Sequence, residues 1–263
     1  LWLAAEHTLN IAHRGASADA PANTLAAFQR AAVIGADGVE LDVQLSADGV
    51  PVVIHDLAVD RTTDGHGAVA DLPLAALREL DAGSWFDPAF AGQRIPTLEE
   101  VFAAFGSQLL INVEMKAPSG TGQDLAAAVV GLIERHGLAD RVLISSFNPT
   151  ALRHVRRLAL HLPLGFLYNP LPASWLSRLR VWTMRDLSCE FIHPQAALVH
   201  PAVVHRAHAR GRGVVAWTVN TPGQMLRLAR WGVDGIITNH PDRLREVLEK
   251  IRNHPHTTGL EVQ

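Results

Sequence analysis

Two stretches of this sequence alternate polar or acidic residues with apolar ones. Val39-Glu40-Leu41-Asp42-Val43 puts Glu40 and Asp42 on one face of an extended chain, and Asn112-Val113-Glu114-Met115-Lys116 does the same for Asn112, Glu114 and Lys116. Carboxylates among apolar neighbours are costly to bury unless they are paired or bind a metal. Three of them converging with oxygen donors alone suit one hard divalent cation, Mg2+ or Ca2+. The competing reading is a salt-bridge network in which Lys116 answers one of the acids.

Two of the 14 histidines stand apart from the rest. His13 ends a short apolar run and precedes Arg14 and Gly15, a donor cluster fit for a phosphate: Arg supplies a fork and Gly lets the backbone approach closely. His55 ends another apolar run and precedes Asp56. Two imidazoles flanking one site suit phosphodiester cleavage, one taking a proton from the attacking group and the other giving one to the leaving oxygen. Water or a substrate hydroxyl could serve as the attacking group. His136, His154, His161, His205 and His208 fall on helical or loop segments, while His193 and His200 lie near strand ends without a matching acid or base. No His-x-His strand end, helical His-Glu-x-x-His, Gly-x-Ser-x-Gly elbow or glycine-rich phosphate loop occurs.

These residues must be held by strands. Short apolar runs at 9–13, 38–44, 109–116, 141–145, 164–167, 190–193, 214–219 and 235–238 alternate with amphipathic stretches at 24–34, 124–136, 149–160, 172–182, 201–210 and 222–231. Several of the latter open on Pro, which suits a first helical turn. Eight such units predict an α/β fold, a (β/α)8 barrel with its site at the C-terminal strand ends. One segment breaks the rhythm. Asp48-Gly49 between 38–44 and 51–55 predicts a hairpin with a two-residue loop, which would set Asp42 opposite His55. A long Gly-, Asp- and Thr-rich stretch then runs from 56 to 96, with one short helical run at 74–80. It reads as a small insertion after the strand ending at His55, packed on the body or serving as a lid through Trp85 and Phe86.

Composition agrees with a single domain over 1–252 and a flexible tail over 253–263. The chain has 263 residues, 48% hydrophobic and 19% charged, with a net charge of −3. That balance lacks the basic footprint of a nucleic-acid binder. The single cysteine, Cys189, precludes an intramolecular disulfide framework. No apolar run approaches the roughly 18–20 residues that span a bilayer. A cytoplasmic location is expected, with room for a removed signal or anchor upstream of Leu1.

The motifs His13-Arg14-Gly15, Pro21-Ala22-Asn23-Thr24, Glu40-Leu41-Asp42-Val43, His55-Asp56, Asn112 to Lys116, Ser145-Ser146-Phe147, Trp217-Thr218-Val219-Asn220 and Gly232 to Asn239 follow one another as in the glycerophosphodiester phosphodiesterase family, which the chain resembles from about Asn10 to Pro241. The resemblance implies a (β/α)8 barrel with an insertion at Asp56 to Pro96. It implies that His13 and His55 are the acid–base pair, that Glu40, Asp42 and Glu114 hold one Mg2+ or Ca2+, that Arg14 and Lys116 bind phosphate, and that Trp217 walls the pocket. The implied reaction takes a small-molecule glycerophosphodiester to sn-glycerol 3-phosphate and an alcohol. Lysophospholipase D activity on the same barrel, or a catalytically weakened barrel that binds phosphodiesters, are the alternatives. Two positions depart from the family pattern. Ala22 stands where Glu is common, and Asn239 stands for a usual Asp, read here as a turn and capping exchange.

Overall fold

A computed structural model describes residues 2, 5–117, 122–169 and 188–253. Its elements run β1 (Leu9–His13), α1 (Leu25–Ile34), β2 (Gly38–Leu45), β3 (Pro51–Val53), α2 (Leu74–Leu77), α3 (Leu98–Phe105), β4 (Leu110–Met115), α4 (Gln123–His136), β5 (Val142–Ser146), α5 (Pro149–Leu158), β6 (Leu164–Tyr168), β7 (Phe191–Pro194), α6 (Pro201–His208), β8 (Gly213–Ala216), α7 (Pro222–Arg230), β9 (Gly235–Thr238) and α8 (Pro241–Asn253). Every strand except β3 is parallel to its neighbours, and β9 returns to β1 while β1 also pairs with β2, so eight strands close into a (β/α)8 barrel. The helical stretch expected at 172–182 lies outside the described residues.

Local sequence explains the helix starts. Thr24 caps α1 by accepting from the Ala27 amide, Asn148 caps α5 ahead of Pro149, and α6 and α7 also open on Pro. Helices α3 and α8 were not expected from apolar periodicity. The signal for α3 was present in the capping box, where Thr97 and Glu100 each accept from the other's backbone N–H.

The barrel interior is split along its axis. Leu9, Ile11, Leu143, Phe191, Val215 and Ile237 form an apolar plug with Trp2 set edge-on to Phe191. Buried polar side chains come mainly from the neighbouring β2 (Glu40, Asp42) and β4 (Asn112, Glu114), with Ser145 on β5 and His193 on β7. The register His13↔Glu40↔Asn112 and Asp42↔Glu114↔Ser145 carries them toward the C-terminal rim in two steps. The plug fills the barrel with packed apolar side chains while the rim carries the polar groups.

The hairpin differs from expectation by one residue. Val43 pairs with Val53, Gln44 with Val52 and Leu45 with Pro51, so Asp42 faces Ile54, whose amide donates to the Asp42 carbonyl at 3.0 Å. The loop is three residues long, Ala47-Asp48-Gly49, with Gly49 at φ +79°. This is a type I turn closed by a left-handed Gly, the common three-residue alternative to the two-residue loop. Asp48 helps to set it, accepting from the Ser46 hydroxyl and the Leu74 amide. β3 also ends at Val53, two residues before His55, so His55 is released from the alternation that a slip would otherwise have reversed.

The insertion has its own small core of Val52, Ile54, Val59, Val69, Leu77, Ala82 and Ile95. Trp85 and Phe86 do not belong to this core. Trp85 is exposed and meets Phe86 edge-on, and Phe86 meets Phe90 the same way.

Candidate active site

Glu40, Asp42 and Glu114 converge as the alternating pattern predicts. One carboxylate oxygen from each lies within 4.8 Å of the others, and all three residues are buried. Their neighbours are cationic. Lys116, just past the end of β4, sits 2.9 Å from Asp42 and bridges to Glu114, while Arg14 Nε lies 3.0 Å from the second Asp42 oxygen. Burial works against charge on Asp42, but Lys116 and then Arg14 overcome it and hold the carboxyl at about 2. Glu40 and Glu114 go the other way. Burial, reinforced first by Asp42, raises Glu40 well above the usual carboxylate range and Glu114 to about 7. Three acids thus share two cations, and two of the acids resist ionisation. An oxygen-only, charge-deficient cluster of this kind fits a hard divalent cation.

The His13-Arg14-Gly15 turn is held by strained backbone. Arg14 and Asn23 are the only non-glycine residues with positive φ among those described, at +57° and +61°. The Arg14 amide donates to the Glu40 carbonyl at 2.8 Å and the Asn23 amide to the Arg14 carbonyl at 2.9 Å. Gly15, at φ +80°, rides so close to α1 that a Cβ would stand 2.5 Å from the Ala27 carbonyl carbon. Asn23 Nδ2 donates to Asp42 at 2.9 Å. Sequence reasoning quoted Asn23 only as part of a motif and missed this contact; its left-handed backbone was a usable signal only once the turn was known.

Each histidine is gripped at Nδ1. His13 Nδ1 pairs with Asn239 Oδ1 at 2.6 Å, and the Asn239 amide in turn donates to Asn220 Oδ1 at 3.0 Å. Asn239 is therefore more than a turn residue: it sets an uncharged partner behind His13. Burial and then Arg14 lower His13 to about 4. His13 Nε2 looks toward Glu40 at 3.9 Å. His55 Nδ1 pairs with Asp56 Oδ1 at 2.6 Å, and burial lowers its pKa despite the opposing pull of Asp42.

Beside these groups opens a cleft of about 860 Å3 whose lining includes His55, Glu114 and Lys116 together with Leu57, Ala58, Phe147 and Pro149. Trp217 stands at the rim, its indole donating to the His193 carbonyl at 2.7 Å and its ring edge-on to Phe147 with centroids 5.4 Å apart. Ser146 and Asn148 tie this wall to the Met115 and Ala117 carbonyls. Ala22 borders a separate small cavity that also meets Arg14, His55 and Trp85. His208 pairs with Asp234 at 2.8 Å, away from these residues. His193 is fully buried with neither ring nitrogen partnered.

A parallel barrel presenting carboxylates, paired imidazoles and two cations at one rim has the makings of a phosphoric diester hydrolase. The chain belongs to the glycerophosphoryl diester phosphodiesterase family, whose profile matches residues 13–243. It is 43% identical over 245 residues to a glycerophosphodiester phosphodiesterase of Caldanaerobacter subterraneus subsp. tengcongensis, covering 92% of this chain and 98% of the relative. A Bacillus subtilis glycerophosphodiester phosphodiesterase is 34% identical over 265 residues, covering 93% and 88%. Among solved structures, an Oleispira antarctica phosphodiesterase in complex with the product sn-glycerol-3-phosphate superposes with a TM-score of 0.81 at 35% identity, covering 91% of this chain and 96% of that one. No helix among the described residues is long and apolar enough to cross a membrane.

Proposed function

We propose that this protein hydrolyses glycerophosphodiesters to sn-glycerol 3-phosphate and an alcohol, with Glu40, Asp42 and Glu114 holding one Mg2+ or Ca2+ and His13 and His55 as the acid–base pair. The observation that carries this reading is the convergence of three buried carboxylates within 4.8 Å of one another beside two histidines whose Nδ1 atoms are already engaged. With Nδ1 committed, Nε2 is the atom each imidazole has left for proton transfer. One, neutral, takes the proton of the attacking oxygen at Nε2; the other, entering as the imidazolium, delivers its Nε2 proton to the alcohol oxygen as the P–O bond breaks. Arg14 and Lys116 supply positive charge where the phosphate must sit, and Trp217 with Phe147 walls the pocket. A divalent cation held by the acids supplies neutralisation of the phosphoryl charge.

The product complex of the Oleispira relative supports sn-glycerol 3-phosphate as the product. Release of glycerol 3-phosphate from glycerophosphocholine should require Mg2+ or Ca2+ and stop on chelation. His13→Ala and His55→Ala should each lose about 10²–10⁴-fold in rate. Unchanged turnover in either variant would refute the mechanism. The apolar lining residues Leu57, Ala58, Phe147 and Pro149 favour a second reading, lysophospholipids as substrates cleaved by the same chemistry. Relative rates on glycerophosphocholine and lysophosphatidylcholine decide between the two.

A further inference from the structure

His55 is the group that the barrel supports least. β3 ends two residues before it, and its side chain is 36% exposed. Three residues brace it instead, Asp56 directly and Gln44 and Arg61 through its neighbours. Gln44, buried on the face of β2 that also carries Glu40 and Asp42, donates Nε2 to the carbonyls of Ile54 at 3.0 Å and Asp56 at 2.7 Å, straddling His55. Asp56 Oδ1 takes the Nδ1 hydrogen at 2.6 Å. Arg61, on the insertion, grips both Asp56 oxygens, Nε on Oδ2 and Nη2 on Oδ1. A bidentate guanidinium is planar and fixes the plane of the carboxylate it holds. Held this way Asp56 is ionised and only accepts, so Nδ1 of a neutral His55 must carry the hydrogen.

We infer that Gln44, Asp56 and Arg61 are positioning residues for His55, fixing its backbone, its tautomer and its ring plane where no strand pairing does so. The insertion thereby enters the chemistry through Arg61. The inference rests on His55 acting in acid–base catalysis, as proposed above. An ordinary surface ion pair between Arg61 and Asp56 would be nearly dispensable; a pair that aims an imidazole is not.

The test compares wild type, Arg61→Gln, Arg61→Lys and Asp56→Asn on glycerophosphocholine with saturating Mg2+, alongside long-range 1H–15N NMR of the His55 ring at alkaline pH. Arg61→Gln should lower kcat by on the order of 10–10²-fold, the size of the loss when a partner orienting a metal-bound histidine is removed, with KM little changed. Its His55 signals should move from a single Nδ1–H tautomer to a mixture. Arg61→Lys should restore only part of the loss, because an ammonium cannot hold both oxygens. Should Arg61→Gln not fold, Asp56→Asn carries the same two readouts. Unchanged kcat with an unchanged tautomer would overturn the inference. A wild type without turnover would instead reject the proposed function, and the tautomer alone would then decide the positioning role.

Discussion

Glu114 gives the sharpest quantitative expectation. Burial and the neighbouring Asp42 raise its pKa from 4.5 to about 7, so the folded protein keeps a proton there that the unfolded chain has released. The corresponding stability is fully present below about pH 4.5 and is lost as pH rises through 7. A displacement of that size is worth about 3 kcal/mol, and the side chain, 10% exposed, is screened little by solvent. Glu114→Gln imitates the protonated acid at every pH. In chelator, the variant should therefore match wild type near pH 4.5 and exceed it at pH 8 by up to about 3 kcal/mol, a rise of up to roughly 8 °C in Tm. Added Mg2+ or Ca2+ should reverse the order, since wild type gains stability by binding and the variant has lost a ligand. Thermal unfolding at both pH values, with and without the cation, reads all four quantities. Equal Tm values in chelator at pH 8, or a full metal response in the variant, would refute the account of a charge-deficient cation cluster.

Two further outcomes follow from other buried groups. Asn239→Asp puts a carboxylate against His13 Nδ1, which favours the imidazolium, so the acid limb of kcat/KM should move up from about 4 toward the ordinary 6.5; a pH profile with an unmoved limb would count against His13 as the group titrating there. His193, lowered to about 3 by burial, stays neutral in the fold while the unfolded chain takes up a proton below 6.5, so wild type loses stability as pH falls through that window. His193→Leu should flatten the decline between pH 6.5 and 4.5 by on the order of 2–3 kcal/mol in denaturant titrations, and an unchanged slope would contradict it.

Much of the site was legible because strand periodicity is local. Alternation of acidic with apolar residues placed Glu40 with Asp42 and Asn112 with Glu114 on common faces before any fold was known, and the parallel register then set the two strands side by side. The repeated strand-then-helix rhythm predicted the barrel, because each unit reports its own burial pattern. The Asp48-Gly49 pair marks the hairpin but not its register, since a left-handed Gly49 suits both a two- and a three-residue loop; in the fold the longer loop carries the Ser46 and Leu74 contacts of Asp48.

What local pattern could not supply were the partners that arrive from far along the chain. Asn239 meets His13 across 226 positions of sequence, and Asn23 reaches Asp42 only through the left-handed turn after His13. Arg61 is only five residues from Asp56, yet no strand or helix period sets that pair; the turn of the insertion does. The carboxylates' charge state likewise belongs to the tertiary structure. Glu40, Asp42 and Glu114 are ordinary acids in an open chain, and they part company only when closure of the barrel removes water and sets Lys116 and Arg14 against Asp42. Sequence determined which residues could meet at the rim; closure of the barrel decided which of them share a proton, a cation or a hydrogen bond, because those interactions depend on distance and desolvation rather than on order along the chain.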